Sequence, residues 1–173
     1  MTYPISPQTS LSSHSVFDEW PSELRALFDG TLAHADGRFT ASLCAADSAH
    51  RVRTALLSAG ECLAPDARTL AFALWPSSRT AQAVAATGRA TLAFVFDEAF
   101  YQVQLDARRV PLRDVPLACF VGTIESGEMQ RVGYARLTSG IAFELTGARE
   151  ADAVLARWRE QIEWLKRAAS AAA

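Results

Sequence analysis

Ser77, Ser78, Arg79 and Thr80 stand together in RTLAFALWPSSRTAQAVAATG, residues 68–88, and hydroxyls beside a guanidinium are groups that hold anions. Ahead of them Leu70, Phe72 and Leu74 alternate with Ala71, Ala73 and Trp75, the period of a strand whose two faces are both apolar. Pro76 stops that strand. A short helix should begin where the polar residues cluster, and Gly88 follows the apolar run at the place a helix usually ends. Free N–H groups and the dipole at a helix start both favour negative charge, so the elbow predicts a seat for an anion the size of phosphate. The plainer alternative is that Ser77 or Ser78 caps the helix and Arg79 is solvated.

Other candidates are more dispersed. In RVRTALLS, residues 51–58, Arg53 shares a strand face with Ala55 and Leu57, while Val52, Thr54, Leu56 and Ser58 share the other. A buried Arg needs a partner, which here is a bound anion or one of Asp47, Glu61 and Asp66. Gln102 lies beside Gln104 on one face of FYQVQLDARRV, residues 100–110, and either meets a ligand or pairs with Gln104. Glu61 either faces a pocket or is solvated, and Trp75 reads as core more readily than as a ligand contact. No Ser/His/Asp, Cys/His or paired-carboxylate set stands out, so no catalytic acid or base is assigned. His14, His34 and His50 are isolated, and Cys44, Cys62 and Cys119 form no CxxC pair. That pattern predicts no metal site and thiols that pack as small hydrophobes in a reducing compartment.

The chain has 173 residues, half of them hydrophobic and 21% charged, which suits one globular domain with a real core. A net charge of −2 argues against a nucleic-acid surface. No basic, apolar leader and no run of 18 apolar residues occurs, so a soluble cytoplasmic protein with no membrane partner is expected.

The elements that must position these residues follow in order. Residues 1–16 are rich in Ser, Thr and Pro and read as a flexible arm, with residues 17–170 as a single domain. Pro21 and Ser22 open a helix with Leu24, Leu27, Phe28 and Leu32 on one face, closed by Asp36-Gly37. Strands are expected over 38–46 and 51–58, joined as a hairpin through Asp47 to His50, with a loop over 60–67. After the elbow come strands over 90–96 and 100–110, a break between Pro111 and Pro116, and strands over 117–126 and 136–145. A helix over 149–169 repeats Leu155, Trp158, Ile162, Leu165 and Ala169 on one stripe, with Arg159–Glu163 and Glu163–Arg167 as surface pairs. Packing of that stripe on its own sheet is favoured over a dimer seam. Six or seven mostly consecutive strands with flanking helices predict a mainly β fold, an antiparallel closed or split barrel.

This order resembles the pyridoxamine 5′-phosphate oxidase-like family, the FMN-binding split barrels, over about residues 20–147. Arg53 to Ser58, RTALLS, resembles that family's R-x-x-L-L-K strand, whose Arg and Lys reach the flavin phosphate and ring. Ser78-Arg79-Thr80 resembles its S-R-K phosphate elbow, and Gln102 in YQVQL resembles the Gln at the isoalloxazine edge. The resemblance implies an FMN site formed by Arg53, Ser58, Leu74, Trp75, Ser78, Arg79, Thr80 and Gln102. It also implies a homodimer with two shared sites, elbow and Gln coming from different subunits, and electron exchange with a nicotinamide donor or a small-molecule substrate. The departures are specific. Ser58 and Thr80 replace both Lys positions, and Leu74 and Trp75 stand where polar residues usually meet the cofactor. The C-terminal Arg and Trp pattern of true vitamin B6 oxidases has no equivalent, so B6 oxidation is not expected.

Three functions are therefore carried forward: an FMN-dependent oxidoreductase, a flavin- or haem-binding module of the same fold without turnover, and a degenerate barrel that binds a protein partner.

Overall fold

Asp47 organises the first hairpin, because its carboxylate oxygen Oδ1 accepts the N–H of Ala49 at 2.9 Å and of Arg51 at 3.0 Å. His50 takes a positive φ of 58° in that turn, and the strands β2 (Ala41–Ala46) and β3 (Val52–Leu57) run antiparallel from it. A computed structural model describes residues 12–31, 39–145 and 147–173.

Before the hairpin come β1 (Ser13–Phe17) and α1 (Ser22–Leu27). After it come a 3-10 turn (Ala59–Glu61), β4 (Cys62–Leu63), β5 (Thr69–Leu74), α2 (Arg79–Thr87) and β6 (Arg89–Phe96). The chain then runs through β7 (Ala99–Val110) and β8 (Ala118–Arg131) to α3 (Ala148–Ala172). All strand pairs are antiparallel, in the order β3-β2-β6-β7-β8-β5-β4, with β1 added to β8. The result is an antiparallel half-barrel with flanking helices, a split barrel.

Two apolar layers hold it. On the inner face Phe28, Phe39, Phe94 and Tyr101 pack ring against ring, Phe28 meeting Phe94 edge-on at 5.6 Å and Phe94 stacking on Tyr101 at 5.2 Å. α2 joins this layer through Ala81, Ala83 and Val84, because its small residues allow close approach to β2 and β3. On the other side Ile162, Leu165 and Ala168 of α3 cover Leu63, Ala71, Ala73 and Cys119. The α3 stripe thus packs on its own sheet.

Several expectations are corrected. Ser13 to Val16, expected in the flexible arm, belong to β1, because β8 extends past β5 and its bare edge from Gly127 to Arg131 accepts another strand. The loop over 60–67 contains β4, two residues that pair with β5. The strand expected over 136–145 is absent: the segment pairs with no strand, and Gly140 packs close to Val95 of β6. Glu163 pairs with Lys166 at 2.7 Å rather than with Arg159 or Arg167. Leu32 and the Asp36-Gly37 turn lie outside the described residues.

Candidate functional site

β5 ends at Leu74, which is buried in the inner core, and the chain turns outward so that Trp75 is 62% exposed rather than packed inside. The Ser78 N–H donates to the Trp75 carbonyl at 3.0 Å, closing the elbow, and Ser78 then caps α2 by accepting the Ala81 N–H on its hydroxyl at 3.1 Å. Ser78, not Ser77, is therefore the cap. Its O–H proton stays free to donate outward. Arg79 is the first helical residue, exposed, and without an ion pair or hydrogen bond among the described residues. Thr80 is buried. At the other end Gly88 adopts φ 69°, the left-handed conformation that terminates the helix and that glycine takes without strain.

Arg53 lies on the half-buried inner face of β3, the side that α2 contacts. Its Nε and Nη2 both donate to Asp47 Oδ2, at 2.9 and 2.7 Å. Of the three acids that could have met Arg53, Asp47 is the one in reach. The same carboxylate receives two backbone N–H groups, and these bonds, led by that from Arg51, lower its pKa from 3.8 to about 2. Arg53 therefore keeps Nη1 free of this pair.

Ser58 is also engaged. Glu61 Oε2 accepts the Ser58 N–H and the Ser58 hydroxyl, each at 2.8 Å, a reciprocal cap on the 3-10 turn. Burial, with the Glu61 charge added, pushes the neighbouring Cys62 thiol up, and burial likewise raises Cys119.

Gln102 faces away from α2. Strand register aligns Leu56, Ser42, Ala93, Gln102, Glu128 and Val16 across six strands on the outer face of the sheet. The next row holds Cys44, Thr91 and Gln104, in which the Thr91 hydroxyl donates to Gln104 Oε1 at 2.7 Å. Gln104 is thus satisfied by Thr91 and does not pair with Gln102, which has no hydrogen-bond partner among the described residues. Within one chain, then, Arg79 and Arg53 belong to the α2 side, while Gln102 lies on the opposite face of the sheet. Among the described residues no cluster of three His, Cys, Asp or Glu side chains could hold a metal ion, and no helix is long and apolar enough to cross a membrane.

Comparison with known proteins agrees with this architecture. No family model matches the chain. A pyridoxamine 5′-phosphate oxidase candidate from Lactobacillus delbrueckii superposes with a TM-score of 0.50 at 11% identity, covering 64% of this chain and 94% of that one. HupZ of Group A Streptococcus gives 0.49 at 15% identity, covering 72% and 98%. The fold is that of the pyridoxamine 5′-phosphate oxidase-like split barrels. The uncharacterized protein YclD of Bacillus subtilis (strain 168) is 31% identical over 119 residues, spanning 65% of this chain and 73% of YclD. The chain belongs to the same family as YclD.

Proposed function

We propose that this protein is an FMN-binding flavoprotein and acts as an oxidoreductase, with the flavin phosphate seated on the elbow between β5 and α2. The observation that carries the reading is Arg79, a cation without a partner among the described residues, at the first position of a nine-residue helix. The residues fit a phosphate. Arg79 supplies charge, Ser78 has a hydroxyl proton to donate, and the first amides of α2 are free of intrahelical acceptors. Arg53, pinned by Asp47, offers Nη1 from the neighbouring strand. Bound FMN supplies the hydride and electron chemistry, so the chain itself must bind, orient and shield rather than provide an acid or base. Nothing equivalent to the substrate residues of B6 oxidases is present, so another small molecule or a nicotinamide donor is the expected reaction partner.

The same reading calls for a homodimer. The elbow is open to solvent, and Gln102 sits on the far face, so one chain alone leaves a flavin ring unscreened. Leu56 at 54% and Val16 at 65% exposure lie on the outer sheet face outside the cluster that α3 covers, a surface that a second copy would cover to complete two symmetric sites. A cytoplasmic setting is supported by the free and buried Cys62 and Cys119.

A second reading, flavin binding without turnover, is favoured by one observation: Arg53 and Ser58 already have Asp47 and Glu61 as partners. Absorbance spectra separate the two. A flavin band on adding FMN that bleaches with NADPH supports the oxidoreductase. A band that survives NADPH and other two-electron donors supports the carrier, and no bound flavin at all overturns both.

A further inference from the structure

A cavity of about 370 Å³ lies between the end of β3, the 3-10 turn, residues 141–145 and α3. Neither Arg79 nor Gln102 lines it, and of the residues implied for the flavin site it meets only Ser58. Its walls are mostly apolar, with Leu57, Val154, Phe143 and Trp158 among them. Phe143 and Trp158 meet edge to face at 6.0 Å, and Trp158 rests directly on Gly60, where a Cβ would overlap the indole, so one aromatic wall is held rigidly.

Four polar residues line this apolar space, Thr40, Ser58, Glu61 and Arg157. Thr40 is only 7% exposed, and its Oγ1 is buried with no hydrogen-bond partner among the described residues. A buried hydroxyl without a partner loses its hydration for nothing in return, which needs an explanation. Glu61 is fixed by Ser58 through Oε2 alone, which leaves its second oxygen without a bond among the described residues. Arg157 lies at the exposed rim, where water screens it.

We propose that this cavity is a binding site for a small aromatic amine. An ammonium carries three donors and no acceptor, which matches two oxygens without a bond among the described residues, Glu61 Oε1 and Thr40 Oγ1. A neutral ring would leave the carboxylate unpaired once the cavity closed on it, and an anion would meet the Glu61 charge inside. The ring of the ligand lies against Phe143 and Trp158, whose π faces also attract the cation. Ser58 is here a positioning residue, because its two donors hold the carboxylate in place.

The test is calorimetric titration of the full chain, without FMN, using three probes of one shape: phenethylamine, 2-phenylethanol and 3-phenylpropionate. Phenethylamine should bind about tenfold more tightly than the alcohol, as a charge-assisted bond requires. Glu61→Gln, which can still accept from the Ser58 N–H, should erase that preference while leaving the melting temperature close to wild type. Thr40→Val should weaken the amine several-fold without lowering the melting temperature, since the hydroxyl has no structural bond to lose. Equal affinity for all three probes, preference for phenylpropionate, or no heat with phenethylamine at millimolar concentration would each overturn the proposal. So would a Thr40→Val protein that melts lower yet binds the amine unchanged. Loss of FMN binding with the amine response intact would count against the flavin reading alone.

Discussion

Asp47 Oδ2 holds Arg53 through Nε at 2.9 Å and Nη2 at 2.7 Å, while its Oδ1 takes the N–H groups of Ala49 and Arg51. One carboxylate thus closes the β2–β3 turn and aims the guanidinium beside α2. Its pKa is about 2 when folded against 3.8 ordinarily, so folding favours the charged form. The stability it contributes is complete above the ordinary value and is lost as pH falls from 3.8 toward 2. Asp47→Asn should therefore lower the denaturation midpoint at neutral pH and flatten its fall across that acid window. Chemical denaturation at a series of pH values measures both effects, and an unchanged acid profile would refute the assignment.

Arg79 and Arg53 should separate in mutagenesis because Arg53 is paired with Asp47 and Arg79 has no partner among the described residues. Arg79→Ala removes no bond among the described residues, so the melting temperature should hold. FMN affinity should fall by about tenfold or more, since a charge-assisted bond contributes roughly 1.5–3 kcal/mol. Arg53→Ala leaves Asp47 without its main cation and should lower both affinity and melting temperature. Fluorescence titration of FMN with thermal melts resolves these outcomes, and unchanged affinity in Arg79→Ala would remove the elbow from the site.

Gly127 is the hinge of the β1 contact. A methyl at that position would overlap the Phe17 ring, so Gly127→Ala must displace Phe17 and with it the short strand. The expected loss is about 1–3 kcal/mol, the usual range for overpacking. Backbone amides of residues 13–17 should exchange faster with deuterium while those of β6 and β7 keep their protection. Equal protection of β1 in variant and wild type would show that the ring has room.

How much of this was legible follows from how local each signal is. The run from Leu70 through Ser78 to Gly88 contains its own strand period, cap and left-handed stop, and the structure has β5, the elbow and α2 in that order. The core stripe of α3 was readable for the same reason. β1 was not, since its polar residues pair only because β8, at the other end of the chain, has an edge to fill. In residues 136–145 Leu137, Ile141 and Phe143 are spaced as in a strand, yet they stay partly exposed and the segment pairs with no strand. For Arg53 three acids were possible partners, and only the turn geometry selects Asp47. Ser58 carried a second signal that went unused: with Glu61 three residues on, it spells a capping box. Thr40 gave no sign, because nothing local marks a hydroxyl that folding leaves without a partner.

Leu56 tests the proposed dimer. It begins the outer row that continues through Ser42 and Ala93 to Gln102, and 54% of its surface is exposed in the single chain. A lysine there would put a charge into any interface built on this face, at a cost of several kcal/mol if it were buried unpaired. In the single chain it would cost little, because the position is already wet. Leu56→Lys should therefore shift the mass by light scattering from dimer to monomer with the far-ultraviolet circular dichroism unchanged. Flavin affinity should fall with dimer content, since elbow and Gln102 reach one ring only from different copies. A wild-type protein that is already monomeric at micromolar concentration would rule out the shared site, and the elbow alone would then have to account for any FMN bound.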